Sequence, residues 1–391
     1  MHEEDTTALL KLVLAGGAVA PRRGLLDTHV TPAACLAAGA SAWRAAGLNN
    51  VQIQRIRQPD TAEMQRALDW LEQPRHHLVG WHDPDYPPLL RRISSPPLVL
   101  FVDGEPSLLW HAGVAVVGSR SPTSGGRDNA YAFARALAAS GTAVISGLAA
   151  GIDAAAHQAA LAEADGVTIA VLGTGPDLAY PAHHTNLRER IAARGAVVSE
   201  HPPGTPARPA HFPSRNRILA GLALGTLVVE ATERSGALIT ARQAADNGRE
   251  VFAVPGSIHN PMARGCHRLI REGAGLVDNA QEVLAAIAPL ANELAHALRS
   301  RLEGALIRPH IGCDDRLAPL PPNYQPLWQA LGHDPTGMDS LIERTGLTAA
   351  ELSSMLLVME LDGRVAVEHG RYARKTWFLS STASLAQAEG Q

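Results

Sequence analysis

The densest chemistry in this chain lies in "HFPSRNRILAGLALGTLVVEA" (211–231), where Phe212, Arg215, Asn216 and Arg217 precede a long apolar run. Buried structure rarely opens on two guanidinium groups unless an anion meets them. An arginine fork matches phosphate oxygens and is desolvated at lower cost than a lysine ammonium. Phe212 either offers an unpaired base a face to stack on, at about 1–3 kcal/mol per base, or closes the loop as a core aromatic. Arg215 has an internal alternative, pairing with Glu200 or Glu230. Glycine recurs at the ends of apolar runs, in "GSR" (118–120), "SGLAAGID" (146–153), "GTG" (173–175), "ERSGALIT" (233–240) and "PGS" (255–257). Bare backbone at such ends lets amides and helix N-termini approach an anion, and phosphate is the first candidate.

The motifs that would break a phosphate bond are missing. A P-loop needs glycine–lysine before a hydroxyl residue, and the two lysines, Lys11 and Lys375, have no such context. "GSRSPTSGG" (118–126) lacks the dinucleotide fingerprint, and "GTGPDL" (173–178) has Leu178 where its third glycine belongs. No zinc-protease helix, paired-cysteine site or nucleophile elbow occurs. Asp153 and His157, four apart, suit an acid–base or metal pair; a helix-start aspartate and a structural histidine explain them as well, and that reading is preferred. Glu230 and Glu233 read as ion-pair partners orienting Arg234 or its neighbours rather than as catalysts. The rim is expected to bind without catalysis, with no cofactor and no metal.

These residues need a frame. Runs at "GVAVVG" (113–118), "TAVIS" (142–146), "VTIAVLG" (167–173), "AVVSE" (196–200), "TLVVEA" (226–231) and "EVFAVPG" (250–256) alternate with segments of helical period. Continuous apolar strands separated by helices predict a doubly wound, mostly parallel α/β sheet over residues 76–290. Residues 1–75 read as helical, fitting a SAM-like or helix–hairpin–helix module or, preferably, a plain cap. A proline-rich lead-in at 82–104 follows. Residues 291–323 begin helical and end as a linker at "CDDRLAPLPP"; residues 324–391 have the order of a winged helix, with Gly346 in the turn and Thr348 as N-cap. The would-be recognition helix "AAELSSMLLVMELDG" carries no arginine or lysine, so protein contacts suit it as well as DNA.

Net charge is −4, which does not advertise nucleic acid. Between Ala207 and Glu272, however, nine arginines face five acidic residues, and over a Debye length of roughly 8 Å an anionic ligand feels the local patch. No signal peptide or membrane span is read, and the three cysteines, Cys35, Cys266 and Cys313, suggest reduced thiols in a cytoplasmic protein.

"GVAVVGSRSPTSGG" (113–126), "VISGLAAGIDAAAHQAAL" (144–161), "TIAVLGTGPDLAYPAHHTNL" (168–187), "FPSRNRILAGL" (212–222), "VVEATERSGALITARQAADNGREVFAVPGSI" (228–258) and "GCHRLIREGA" (265–274) together resemble the DNA-processing protein A (DprA/Smf) family. The resemblance covers about residues 81–290, with weaker likeness in the flanks. It implies an extended Rossmann-like domain that binds single-stranded DNA without hydrolysing it, protects incoming strands in natural transformation, forms a homodimer through that domain and loads a RecA-type recombinase. It implies a DNA site of Gly118, Ser119, Arg120, Ser146, Gly147, Phe212, Arg215, Asn216, Arg217, Ser235 and Gly236. The family commonly has asparagine where His267 stands, which leaves that residue's part open. Against this stand a Rossmann-type nucleotide phosphoribohydrolase, whose "PGG-x-GT" turn "AVPGSIHN" (253–260) does not supply, and a regulator reading DNA through the winged helix.

Overall fold

The computed structural model describes residues 3–306, 324–332, 336–349, 351–352, 355–356, 359, 365–368 and 371–374. It divides into two compact units, Met1–Ile307 and Arg308–Gln391.

The first unit opens with six helices: α1 (Glu3–Leu14), α2 (Val19–His29), α3 (Pro32–Ala37), α4 (Gly39–Ala45), α5 (Asn50–Arg57) and α6 (Thr61–Leu71). Polar caps start three of them. Thr31 and Asp60 accept backbone N–H groups, and Asn49 forms a capping box with Gln52. Their apolar sides gather around Leu9, Leu10, Trp43, Ile53 and Trp70, and share one core with Leu78, Val99 and Phe101 of the adjoining sheet.

That sheet has nine strands in the order β1-β2-β6-β5-β4-β3-β7-β8-β9. Along the chain come β1 (His76–Gly80), α7 (Pro88–Arg91), β2 (Val99–Gly104), β3 (Gly113–Val117), α8 (Ser124–Ala139), β4 (Ala143–Ser146), α9 (Ile152–Ala162) and β5 (Thr168–Val171). Then follow α10 (Thr185–Arg194), β6 (Ala196–Ser199), α11 (His211–Leu222), β7 (Gly225–Val228), α12 (Ala237–Asp246), β8 (Glu250–Ala253), α13 (Arg264–Arg271), β9 (Gly275–Leu276) and α14 (Ala280–Leu306). The β3–β9 strands pair in parallel, while β2 is antiparallel to β6 and β1 to β2. These two antiparallel strands extend the sheet under the N-terminal helices and were not among the strands read from sequence. Helix α14 continues to Leu306, so the stretch 291–306 is helical.

Side chains of β3 alternate between two cores. Ala115 and Val117 pack under α11, α12 and α13 with Ile218, Leu219, Leu238 and Leu269; Val114 and Val116 pack under α8, α9 and α14 with Leu137, Ile152 and Ile287. Burying each such valine is worth about 1.5–3 kcal/mol, and burial on both faces is what makes the central strands read as unbroken apolar runs. From β3 the chain winds outward through β4, β5 and β6, then crosses back to β7 on the other side of β3 and winds outward again. The order reverses between β3 and β7, so a crevice opens beyond their carboxyl ends.

The second unit contains α15 (Gln325–Ala330), β10 (Thr336–Gly337), α16 (Met338–Thr345), β11 (Val365–Glu368) and β12 (Arg371–Arg374), with a three-stranded sheet β10-β12-β11. Leu327, Leu341, Leu352, Leu356 and Val365 form its core. Gly346 ends α16 with φ of 69°, and Thr348 and Glu351 cap the next helix reciprocally. Residues 307–323, with Cys313 and the proline-rich linker, and Lys375 lie outside the described residues. Cys35 and Cys266 are free and buried. Among the described residues no helix is long and apolar enough to cross a membrane.

Candidate nucleic-acid interface

A cavity of about 700 Å³ sits at the reversal point. Gly118, Ser119 and Arg120 line it from the end of β3; Phe212, Arg215 and Asn216 from the first turns of α11; Ser235 and Gly236 from the start of α12. Eight of the eleven residues expected from sequence therefore converge. Ser146, Gly147 and Arg217 are absent from the lining.

The physical reasons differ. Ser146 is fully buried and donates its hydroxyl to the Val116 carbonyl at 2.6 Å, tying β4 to β3. Gly147 leaves room for Arg215: a Cβ there would collide with the guanidinium. Arg217 lies two residues along α11, about 200° around the helix from Arg215. It pairs with Glu200 at 2.5 Å on another side. The three consecutive polar residues are the first half of a helix, so they cannot share one face. Glu200 does find an arginine partner, but it is Arg217 rather than Arg215.

Arg215 is an internal brace. It is 4 % exposed, and its Nη1 donates to the carbonyls of Gly147, at 2.8 Å, and of Val171, closing the ends of β4 and β5. Burial lowers its pKa to about 10, with the Asp153 carboxylate opposing that shift. Asp153 accepts the N–H groups of Gly147 (3.1 Å) and Ala149 (3.4 Å), and burial raises its pKa against the pull of Arg215. His157 is fully buried against Thr168 at 2.7 Å. The Thr168 hydroxyl donates to Val144, so it must accept the proton on Nδ1 of His157. Burial, then the charge of Arg215, drags the imidazole down to about 3. Asp153 and His157 are thus framework residues.

Glu230 departs from the expected ion pair. Its carboxylate accepts the backbone N–H (2.9 Å) and hydroxyl (2.6 Å) of Thr123 and the side-chain amide of Asn260 at 3.4 Å, fastening the loop before α8. His267 Nε2 donates to the Gly256 carbonyl at 3.0 Å, and the residue is not in the lining.

What remains on the cavity's open side is one cation and two aromatic rings. Arg120 is exposed, with its guanidinium carbon 5.6 Å from the centre of the Phe212 ring. Tyr180, 47 % exposed, approaches the other ring at 5.0 Å between centroids. Sequence reasoning missed Tyr180; an aromatic before proline in a strand-end loop, "DLAYPAHH", is the signal that could have found it. Exposed Arg208 and Arg234 flank Pro209 and Ser235 of the lining. A fork-shaped cation and flat apolar faces are groups that phosphates and unstacked bases can meet, and the carboxylate of Asp153 stands in the same lining.

Fold and cavity together define a Rossmann-like protein with a cavity at the switch point of its sheet. A family model, DNA recombination-mediator protein A, matches residues 77–288, and a second, the DprA winged helix domain, matches 314–371. Protein Smf of Escherichia coli strain K12 is 40% identical over 329 residues, 84% of this chain and 85% of that protein. DNA processing protein DprA of Streptococcus pneumoniae is 47% identical over 203 residues, 52% of this chain and 71% of that one. The X-ray structure of the Streptococcus pneumoniae DprA superposes with a TM-score of 0.63 at 38% identity, covering 71% of this chain and 95% of that one. DNA processing protein A from Helicobacter pylori, described for its single-stranded DNA binding mode, superposes with a TM-score of 0.50 at 26% identity, covering 56% and 97%. The chain belongs to the DprA/Smf family of DNA-processing, recombination-mediator proteins.

Proposed function

We propose that this protein binds single-stranded DNA in the cradle between β3 and β7, protects it, and passes it to a RecA-type recombinase without catalysis. The observation that carries the reading is the exposed Arg120 against Phe212, with Tyr180 beside it, at the mouth of a cavity ringed by strand-end backbone. The single-strand binding mode of the Helicobacter pylori relative supports the choice of ligand. The recombination-mediator description of the family supports a recombinase as partner; the homodimer through the α/β domain is part of the proposal. In this reading residues 1–75 act as a helical cap, 76–290 as the binding domain, 291–323 as the connection and 324–391 as the winged helix. The acidic groups that could have served a nucleotide hydrolase, Asp153 and Glu230, are committed to backbone amides.

The test is competition between single- and double-stranded DNA of the same sequence at a fixed salt concentration. Single strand should win; equal competition, or preference for duplex, would sink the reading. Incubation with nucleotides should release neither base nor phosphate, and turnover lost on Glu230→Gln would replace binding by catalysis.

A further inference from the structure

We propose that Arg66, on α6 of the N-terminal helical region, is a second phosphate contact for the same single strand, a reading that rests on the proposed single-strand site. Helix α6 buries Ala67 and Trp70, which turns Arg66 outward. Its side chain lies on the backbone of Gly204, in the loop that leads to α11. A Cβ at Gly204 would stand 2.7 Å from Arg66 Cδ and 2.8 Å from Nη1, and the glycine has φ of +79°. Only a bare residue in the left-handed region leaves that seat open.

The seat is fastened to the cradle. The Gly204 N–H donates to both Asp177 oxygens, at 2.9 and 3.0 Å, and the Gly175 N–H donates to the Thr205 carbonyl at 2.9 Å. Asp177 stands three residues before Tyr180, so the two lie within about 10 Å along the backbone. On the other side of the seat the loop runs through exposed Arg208 to Pro209 of the lining. Arg66 and Arg208 thus stand at the two ends of the 204–208 stretch, which leads from the helical region to the cavity lining at Pro209.

Asp69, one turn on from Gln65, takes the Gln65 amide at 2.7 Å, and Asp177 accepts the Gly204 N–H at the seat. Arg66 makes no ion pair among the described residues. An exposed, propped guanidinium outside the ion pairs of the described residues, on a loop that leads to the proposed strand site, has the fork geometry to take a phosphate. The helical region would then lengthen the footprint as well as cap the sheet.

The experiment compares oligothymidylates of roughly 6 and roughly 15 nucleotides, within the span of about 4–16 nucleotides that single-strand sites cover. In the full chain, Arg66→Ala should weaken binding of the longer strand about 3- to 10-fold and reduce its salt slope by about 0.7, the value for one phosphate on a single strand. The shorter strand should bind as before. Arg66→Lys should restore most of the affinity, while Arg66→Met, which keeps a stem on Gly204 but no charge, should lose as much as alanine. Wild-type binding with unchanged affinity in Arg66→Ala, or equal loss on both lengths, overturns this proposal alone. Failure of the wild type to bind either length removes the single-strand site and this contact with it.

Discussion

Two arginines meet the same cavity and should fail in different ways. Arg120 is exposed, so Arg120→Ala should leave the urea midpoint nearly unchanged, weaken single-strand binding about tenfold and reduce the salt slope by about 0.7. Arg215 is buried against two carbonyls and near Asp153, so Arg215→Ala leaves a buried carboxylate uncompensated and should cost roughly 3–5 kcal/mol of stability. Equilibrium unfolding and binding isotherms on both variants separate the roles; loss of binding from Arg215→Ala at full stability would reverse the assignment. Phe212→Ala should remove about 1–3 kcal/mol of binding if a base stacks there. His157 supplies a pH test. Its folded pKa of about 3 lies below the ordinary 6.5, so between those values the unfolded chain holds a proton that the folded chain refuses. Stability must therefore fall as pH drops through that window, by about 2 kcal/mol between pH 7 and pH 5 for this residue. Urea midpoints at pH 7 and pH 5 should diverge, and His157→Gln should narrow the gap.

At the level of elements, the sheet was legible where strands are buried on both faces. β3 to β8 appear as apolar runs because helices cover them above and below. β1 and β2 were hidden: one begins with His76 and His77, the other sits behind Pro96 and Pro97. Of the strand-end glycines read from sequence, Gly118 and Gly236 line the cavity, while Gly147, Gly173 and Gly256 do not. The direction of each arginine was not legible. "HFPSRNR" reads as a loop because its apolar period begins only at Ile218, yet α11 starts at His211. A helix rather than a loop sends Arg215 inward, Asn216 to the cavity and Arg217 toward Glu200. Gly147→Ala tests this arrangement at element scale. The added methyl must displace the Arg215 guanidinium, so it should destabilise the fold measurably although alanine normally suits a strand end better than glycine. An unchanged midpoint would mean that the brace is not where the geometry puts it.

Across the whole molecule, the proposed binding surface lies in the first unit and the winged helix in the second. Removing residues 324–391 should leave single-strand affinity within about twofold, because no part of the cradle belongs to that segment; loss of binding with the first unit still folded would move the site to the tail. The most direct test of the central claim is photo-cross-linking of the full protein to an oligonucleotide bearing iodouracil, followed by peptide mapping. The cross-links should fall on Tyr180 and Phe212, and Arg120→Ala should diminish them at a fixed protein concentration. Cross-links confined to the winged helix, with Tyr180 and Phe212 unmodified, would contradict the account.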